Sequence, residues 1–108
     1  MINHDKEGHS LFEVIAILEN ADEVERFLAD LCTPQEVKSF KERFAVCKLL
    51  YSQRFSYREI SEMTGVSTTT ISRVARFLNN EPYQGYKNVL RKMKLTEGEG
   101  NDEKNTNS

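Results

Sequence analysis

Tryptophan is absent, and cysteine, proline and histidine number only two each among 108 residues. Each scarcity excludes something. Cys32 and Cys47 form no CxxC pair and sit among apolar residues in helical patterns, so neither a disulfide-built scaffold nor a thiolate metal site is expected. One Cys32–Cys47 bridge stays open as an alternative to the expected pair of buried free thiols in a reducing cytoplasm. Both histidines, His4 and His9, lie in the polar opening MINHDKEGHS, and no metal is expected there. No helical face gathers histidine, cysteine or paired carboxylates, and no glycine-rich phosphate loop occurs, so the reading is not an enzyme: no catalytic residues and no cofactor. No window approaches the ~20 apolar residues of a membrane span. The opening segment has no h-region. The chain is therefore read as soluble, cytoplasmic and without a membrane partner.

Apolar residues make up 38% and charged residues 30%, which suits one globular domain of modest core. The net charge of −2 conceals a strong asymmetry. Residues 1–33 carry two cations against eight acids, residues 34–95 twelve against five, and residues 96–108 one against four. The middle block alone is basic, at net +7, as a polyanion-binding face requires. A solvated helical surface is the plainer explanation of the same cluster.

Periodicity predicts six helices and no strands. Leu11, Phe12, Ile15 and Leu18 place the first over about Leu11 to Glu19. Asp22 is read as opening the second, which carries Val24, Phe27, Leu28 and Leu31. Thr33-Pro34-Gln35-Glu36 is a capping box with proline at the first helical position, opening a long third helix to about Ser52. Its Val37, Phe40, Phe44, Cys47 and Tyr51, flanked by Val46, Leu49 and Leu50, make more apolar surface than one partner helix covers. Two shorter helices follow, Tyr57 to Thr64 and Thr68 to Leu78. Asn79-Asn80-Glu81-Pro82 ends the latter and begins a sixth, with Tyr86, Val89, Leu90 and Met93 on one face. Residues 1–10 are expected to be flexible, residues 11–95 to form the domain, and the tail from Thr96, with no apolar residue, to be disordered. The surplus of apolar helical faces calls for a symmetric partner, a self-sufficient monomeric bundle being the alternative.

The two short helices, over 57–78, have the pattern of a helix-turn-helix. Ile60, Val66, Ile71 and Val74 are apolar where two crossing helices lock. Ser61 is small at the crossing, Gly65 stands where a left-handed turn residue is needed, and Ser67 caps the second helix. Thr64 departs mildly, at a position more often aliphatic. Ile71, Val74, Ala75 and Leu78 share one face of the second helix; Thr68, Thr69, Ser72, Arg73 and Arg76 share the other. Short hydroxyls, Ser67 and Thr70 included, let a helix end approach base edges in the major groove, and a threonine methyl can pack on a thymine methyl. Arg73 or Arg76 reaches a guanine or a phosphate, and Tyr57 and Arg58 are placed for phosphates. Capping chemistry explains some of these hydroxyls equally well.

The run LCTPQEVKSFKERFAVCKLLYSQRFSYREISEMTGVSTTTISRV resembles the tryptophan repressor superfamily, and within it the branch labelled YerC/YecD. The resemblance covers about residues 11–93. LCTPQE, YREISEMTGVS and TTISR are its most specific pieces. It implies an all-α, six-helix tryptophan-repressor-like fold in an intertwined homodimer, the first two helices and the sixth building the dimer core. The fourth and fifth helices are then a DNA-reading head. It also implies a bacterial transcription regulator, a repressor, on a pseudo-palindromic double-stranded operator with half-sites roughly 34 Å apart. Arg43 and Arg73 match the two arginines that sandwich the corepressor's indole. Val74, however, stands at a glycine that leaves room for the ring, and Phe77 at a serine that binds the ligand's amino group. The expectation is that tryptophan does not bind. Arg43 and Arg73 are left to flank another effector or to pair with acids such as Glu42 or Glu62, and Arg73 alone is open to a role on DNA.

The competing function is a helix-turn-helix adaptor that contacts only protein. RNA is poorly supported, since the reading face carries no aromatic residue.

Overall fold

The computed structural model describes residues 10–94. Five helices are α1 (Leu11–Ala16), α2 (Ala21–Leu31), α3 (Pro34–Ser52), α4 (Tyr57–Thr64) and α5 (Thr68–Asn79). A sixth, α6, runs over 85–94, and no strand occurs among the described residues. The expected segments 1–10 and 96–108 lie outside the described residues, Ser10 excepted. The chain divides into two compact units, residues 1–39 and 40–108, each taken by itself below.

In the first unit, α1 is shorter than its periodicity suggests. Ser10 and Glu13 make a reciprocal capping box at its start, with Ser10 Oγ accepting from the Glu13 N–H at 3.1 Å. The helix ends after Ala16 because the next one recruits its neighbours. Asn20, not Asp22, caps α2: its Oδ1 accepts from the Glu23 N–H at 2.9 Å, while the Glu23 carboxylate accepts from the Glu19 N–H at 2.8 Å. Asn20 is thereby held extended instead of helical. Both helices keep an apolar stripe, yet no residue from 10 to 39 is buried. Phe12 and Ile17 are 80% and 73% exposed, and Leu11 and Leu31 about half. The capping box foreseen for α3 is present, Thr33 Oγ1 accepting from the Glu36 N–H at 3.1 Å and Glu36 accepting from the Thr33 N–H at 2.8 Å.

The second unit holds the core. Val46 and Cys47 of α3, Ile60 of α4, Val66 of the turn, Ile71, Val74 and Leu78 of α5 and Leu90 of α6 are buried together, with Phe44, Leu49, Leu50, Phe55, Tyr86 and Met93 packed around them. Phe40 and Tyr51, expected on the buried face of α3, are 44% and 36% exposed, as is Val89 of α6 at 46%. Cys47 and Cys32 are both free; Cys32 is half-buried rather than buried. Burial pushes the Cys47 thiol up to about 11. Two left-handed residues that are not glycine mark the joints around α3 and α6: Gln53, φ 60°, just after α3, and Gln84, φ 62°, just before α6. The latter is why α6 begins at 85 and not at Pro82.

Candidate nucleic-acid interface

Helix α4 opens on a reciprocal capping box, Ser56 Oγ accepting from the Glu59 N–H at 3.1 Å and Glu59 accepting from the Ser56 N–H at 2.8 Å. It stops at Gly65, whose φ of 77° and ψ of 4° are left-handed and whose N–H donates to the Ser61 carbonyl at 2.8 Å. A Cβ at Gly65 would meet nothing within 4 Å, so the turn demands glycine for its backbone angle and not for space. Thr64 has its own part here. Its hydroxyl donates to the Ile60 carbonyl at 2.7 Å and accepts from the Val66 N–H at 3.1 Å, which ties the last turn of α4 to the first residue beyond the glycine. An aliphatic residue at that position would leave the buried Val66 without this partner.

Ser67 then caps α5, accepting from the Thr70 N–H at 3.2 Å and donating to Thr70 Oγ1 at 3.2 Å. Ser67 and Thr70 are therefore occupied with each other, and Thr70 is half-buried. The remaining polar residues of the helix come together. Thr68, Thr69, Ser72, Arg73 and Arg76 line one shallow surface groove of about 520 Å³ with no apolar side chain in its wall. The opposite face, Ile71, Val74, Ala75 and Leu78, is locked into the core. Each of α1 to α4 has an acid in its first turn, whereas α5 has none. The positive end of its dipole is left without a side-chain counter-charge, on the side where its hydroxyls lie.

The arginines are not loose. Arg73 lies over the Phe77 ring at 4.5 Å from its centroid and Arg76 over the same ring at 5.0 Å. Arg76 Nε also meets Glu81 at 3.4 Å. On α4, Tyr57 is exposed, and Arg58 pairs at 3.7 Å with Glu62 in the open.

Behind the groove is a second feature. Arg43, Arg73, Val74 and Phe77 line one recess of about 330 Å³ together with Tyr83, Gly85 and Tyr86. All four residues that the resemblance assigns to a ligand pocket are thus brought together, although Val74 is buried and Phe77 stacks on Tyr83, ring centroids 6.4 Å apart. Burial holds the Tyr86 phenol above its ordinary value and Cys47 pushes the same way, while the charges of Arg43 and Arg73 pull it back. Tyr83 belongs to the α5–α6 connection and Gly85 is the first residue of α6, and no motif marks either. Tyr86 is legible as an apolar position of α6, but not as part of a recess. Among the described residues, no group of three or more His, Cys, Asp or Glu could hold a metal, and no helix is long and apolar enough to cross a membrane.

A glycine-hinged helix pair with a polar, cationic outer face defines a helix-turn-helix protein. More narrowly, the chain belongs to the Trp repressor family, whose members are regulatory DNA-binding proteins: the family profile described as Trp repressor protein matches residues 6–94. It is 41% identical over 96 residues to the protein of Bacillus subtilis (strain 168) named "Uncharacterized protein YerC", covering 87% of this chain and 88% of that one. Among solved structures it is similar to a TrpR-like protein from Eubacterium eligens ATCC 27750, with a TM-score of 0.72 and 42% identity over 79% of this chain and 86% of the other. A candidate Trp repressor from Staphylococcus aureus gives a TM-score of 0.71 and 34% identity, over 84% and 94% of the two chains.

Proposed function

We propose that the protein is a sequence-specific DNA-binding transcriptional repressor that acts as a homodimer and does not respond to tryptophan. The observation that carries this reading is the groove on α5. Three hydroxyls and two arginines share one open face of a helix whose other face is fixed in the core, the hydroxyls and Arg73 in its N-terminal half and Arg76 in its last turn. Such a face slides into a major groove without displacing any apolar packing. Thr68, Thr69 and Ser72 take base edges, Arg73 and Arg76 take guanine or phosphate, and Ser67 and Thr70 hold the helix end that carries them. Tyr57 and Arg58 contact the flanking backbone. Pairing is supported by the first unit, where no described residue is buried and Leu11, Phe12, Ile15, Ile17 and Leu31 stand in the open. A second copy covers such a face. Indifference to tryptophan is supported by Phe77, whose ring already lies against the Arg73 guanidinium and competes with an indole for it.

The test is fluorescence anisotropy with duplexes selected from a random pool. Binding should weaken steeply with salt, since each neutralised phosphate releases counterion. Arg76→Glu should abolish it while leaving the sedimentation behaviour unchanged. A chain that enriches no duplex at low ionic strength refutes the proposal and leaves the adaptor reading. Calorimetry with L-tryptophan should give no heat of binding.

A further inference from the structure

We propose that Phe77 is a positioning residue for DNA recognition, its ring holding the guanidiniums of Arg73 and Arg76 in the poses they present to a duplex. This rests on the DNA-binding reading above. Phe77 is half-buried and lies outside the cluster that forms the core, so its ring is not explained by packing of the helix pair. Tyr83 aside, the ring's contacts are cationic. Two guanidinium centres lie 4.5 and 5.0 Å from one centroid, both within the range of a cation–π contact. Arg73 is four residues before Phe77 and shares its helix face. Arg76 is its sequence neighbour and must reach sideways, and Glu81, 3.4 Å from its Nε, draws it there. Tyr83 stacks on the ring at an interplanar angle of 16° and limits its own rotation.

An arginine on a bare helix surface samples many rotamers and must surrender them on binding. A stacked guanidinium has surrendered most of them beforehand. Stacking uses the face of the group, and the N–H donors lie in its plane, so the edge stays available for a phosphate or a guanine. One aromatic residue thereby prepares both arginines of the groove, from a position that need not touch DNA.

The experiment compares the full chain with Phe77→Leu, Phe77→Tyr and a series with ring-fluorinated phenylalanine at position 77. The probe is a fluorescein-labelled duplex selected by the unmodified chain, titrated across a range of KCl. Phe77→Leu should bind about two- to fivefold more weakly for each arginine released. Its plot of log K against log salt should be shallower by about one for each phosphate that is no longer neutralised. Phe77→Tyr should restore both. Fluorination drains the ring face of charge while keeping its shape, so affinity should fall in step with the number of fluorines, and this series decides the matter should leucine unfold the chain. A merely structural role would lower the melting temperature and leave the salt slope alone. Wild-type affinity and slope in Phe77→Leu, no restoration by tyrosine, or a fluorinated ring that binds as well as the natural one overturns the inference. If instead the unmodified chain binds no duplex, the DNA reading itself falls and takes this inference with it.

Discussion

Gly65 shows how a single backbone angle sets up the reading head. Its φ of 77° is costly for any residue with a Cβ, and the open space around it means that no packing clash adds to the cost. Gly65→Ala should therefore destabilise the fold by about 1 to 2 kcal/mol through the backbone alone, and Gly65→Asn by less, because asparagine tolerates the left-handed region. Chemical denaturation checks both; equal destabilisation in the two variants would point to a steric cause instead. Cys47 acts at the same scale through charge. Its thiol is raised to about 11 because burial disfavours the thiolate, so the folded state keeps a proton that the unfolded chain releases near pH 9. Stability is then unaffected below pH 9 and declines as pH rises from 9 towards 11, by about 2 to 3 kcal/mol in all. Tyr86, raised by burial, adds in the same direction. Denaturation midpoints between pH 8 and 11 should show the decline, and Cys47→Ala should flatten it despite lowering stability throughout.

At the scale of helices, caps decide where the elements start, and Ser67 has the most consequential one because α5 carries the groove. Removing its hydroxyl leaves the Thr70 N–H without its partner at the end of a helix that has no acid to compensate. Ser67→Ala should cost about 1 kcal/mol of stability, read from thermal melts. Ser56→Ala should cost a similar amount at α4, where Glu59 can still favour the dipole. These caps also explain what the sequence discloses. The Thr33–Glu36 box and the Gly65–Ser67 turn are legible because residue type and spacing coincide with the chemistry that a helix end requires. Ser10–Glu13 and Ser56–Glu59 have the same signature and could have been read the same way. Asn20 is harder: it competes with Asp22 for one role, and only the bond from the Glu23 N–H to Asn20 Oδ1 shows which residue wins. The joints at Gln53 and Gln84 are not legible, since glutamine in a left-handed conformation leaves no mark in composition. The recess is half legible for a related reason. Arg43, Arg73, Val74 and Phe77 sit on helices at motif positions, whereas Tyr83 is brought in by the irregular α5–α6 connection and Gly85 by the first turn of α6.

At the scale of the whole molecule, the distribution of apolar surface sets the most exposed prediction. The second unit buries eight apolar residues in one cluster, but between residues 10 and 39 nothing is buried, although that stretch keeps amphipathic helices. A helix as short as α1 has little stability of its own in water and holds its shape only by covering its apolar side. Phe12 is 80% and Ile17 73% exposed, and the proposed closed pairing of identical faces would cover them without any other molecule. Under that pairing, folding is coupled to association. The melting temperature should rise with protein concentration, each tenfold step adding about 1.4 kcal/mol of apparent stability to a dimer that unfolds directly to monomers. Phe12→Glu should place a charge in the interface, shift sedimentation to the monomer and lower the melting temperature at a given concentration. It should also weaken DNA binding, because a lone head loses the second half-site, even though residue 12 is remote in sequence from every groove residue. A melting temperature independent of concentration, with Phe12→Glu sedimenting as the unmodified chain does, would mean that the exposed apolar residues are covered in some other way and that the two-headed complex does not form.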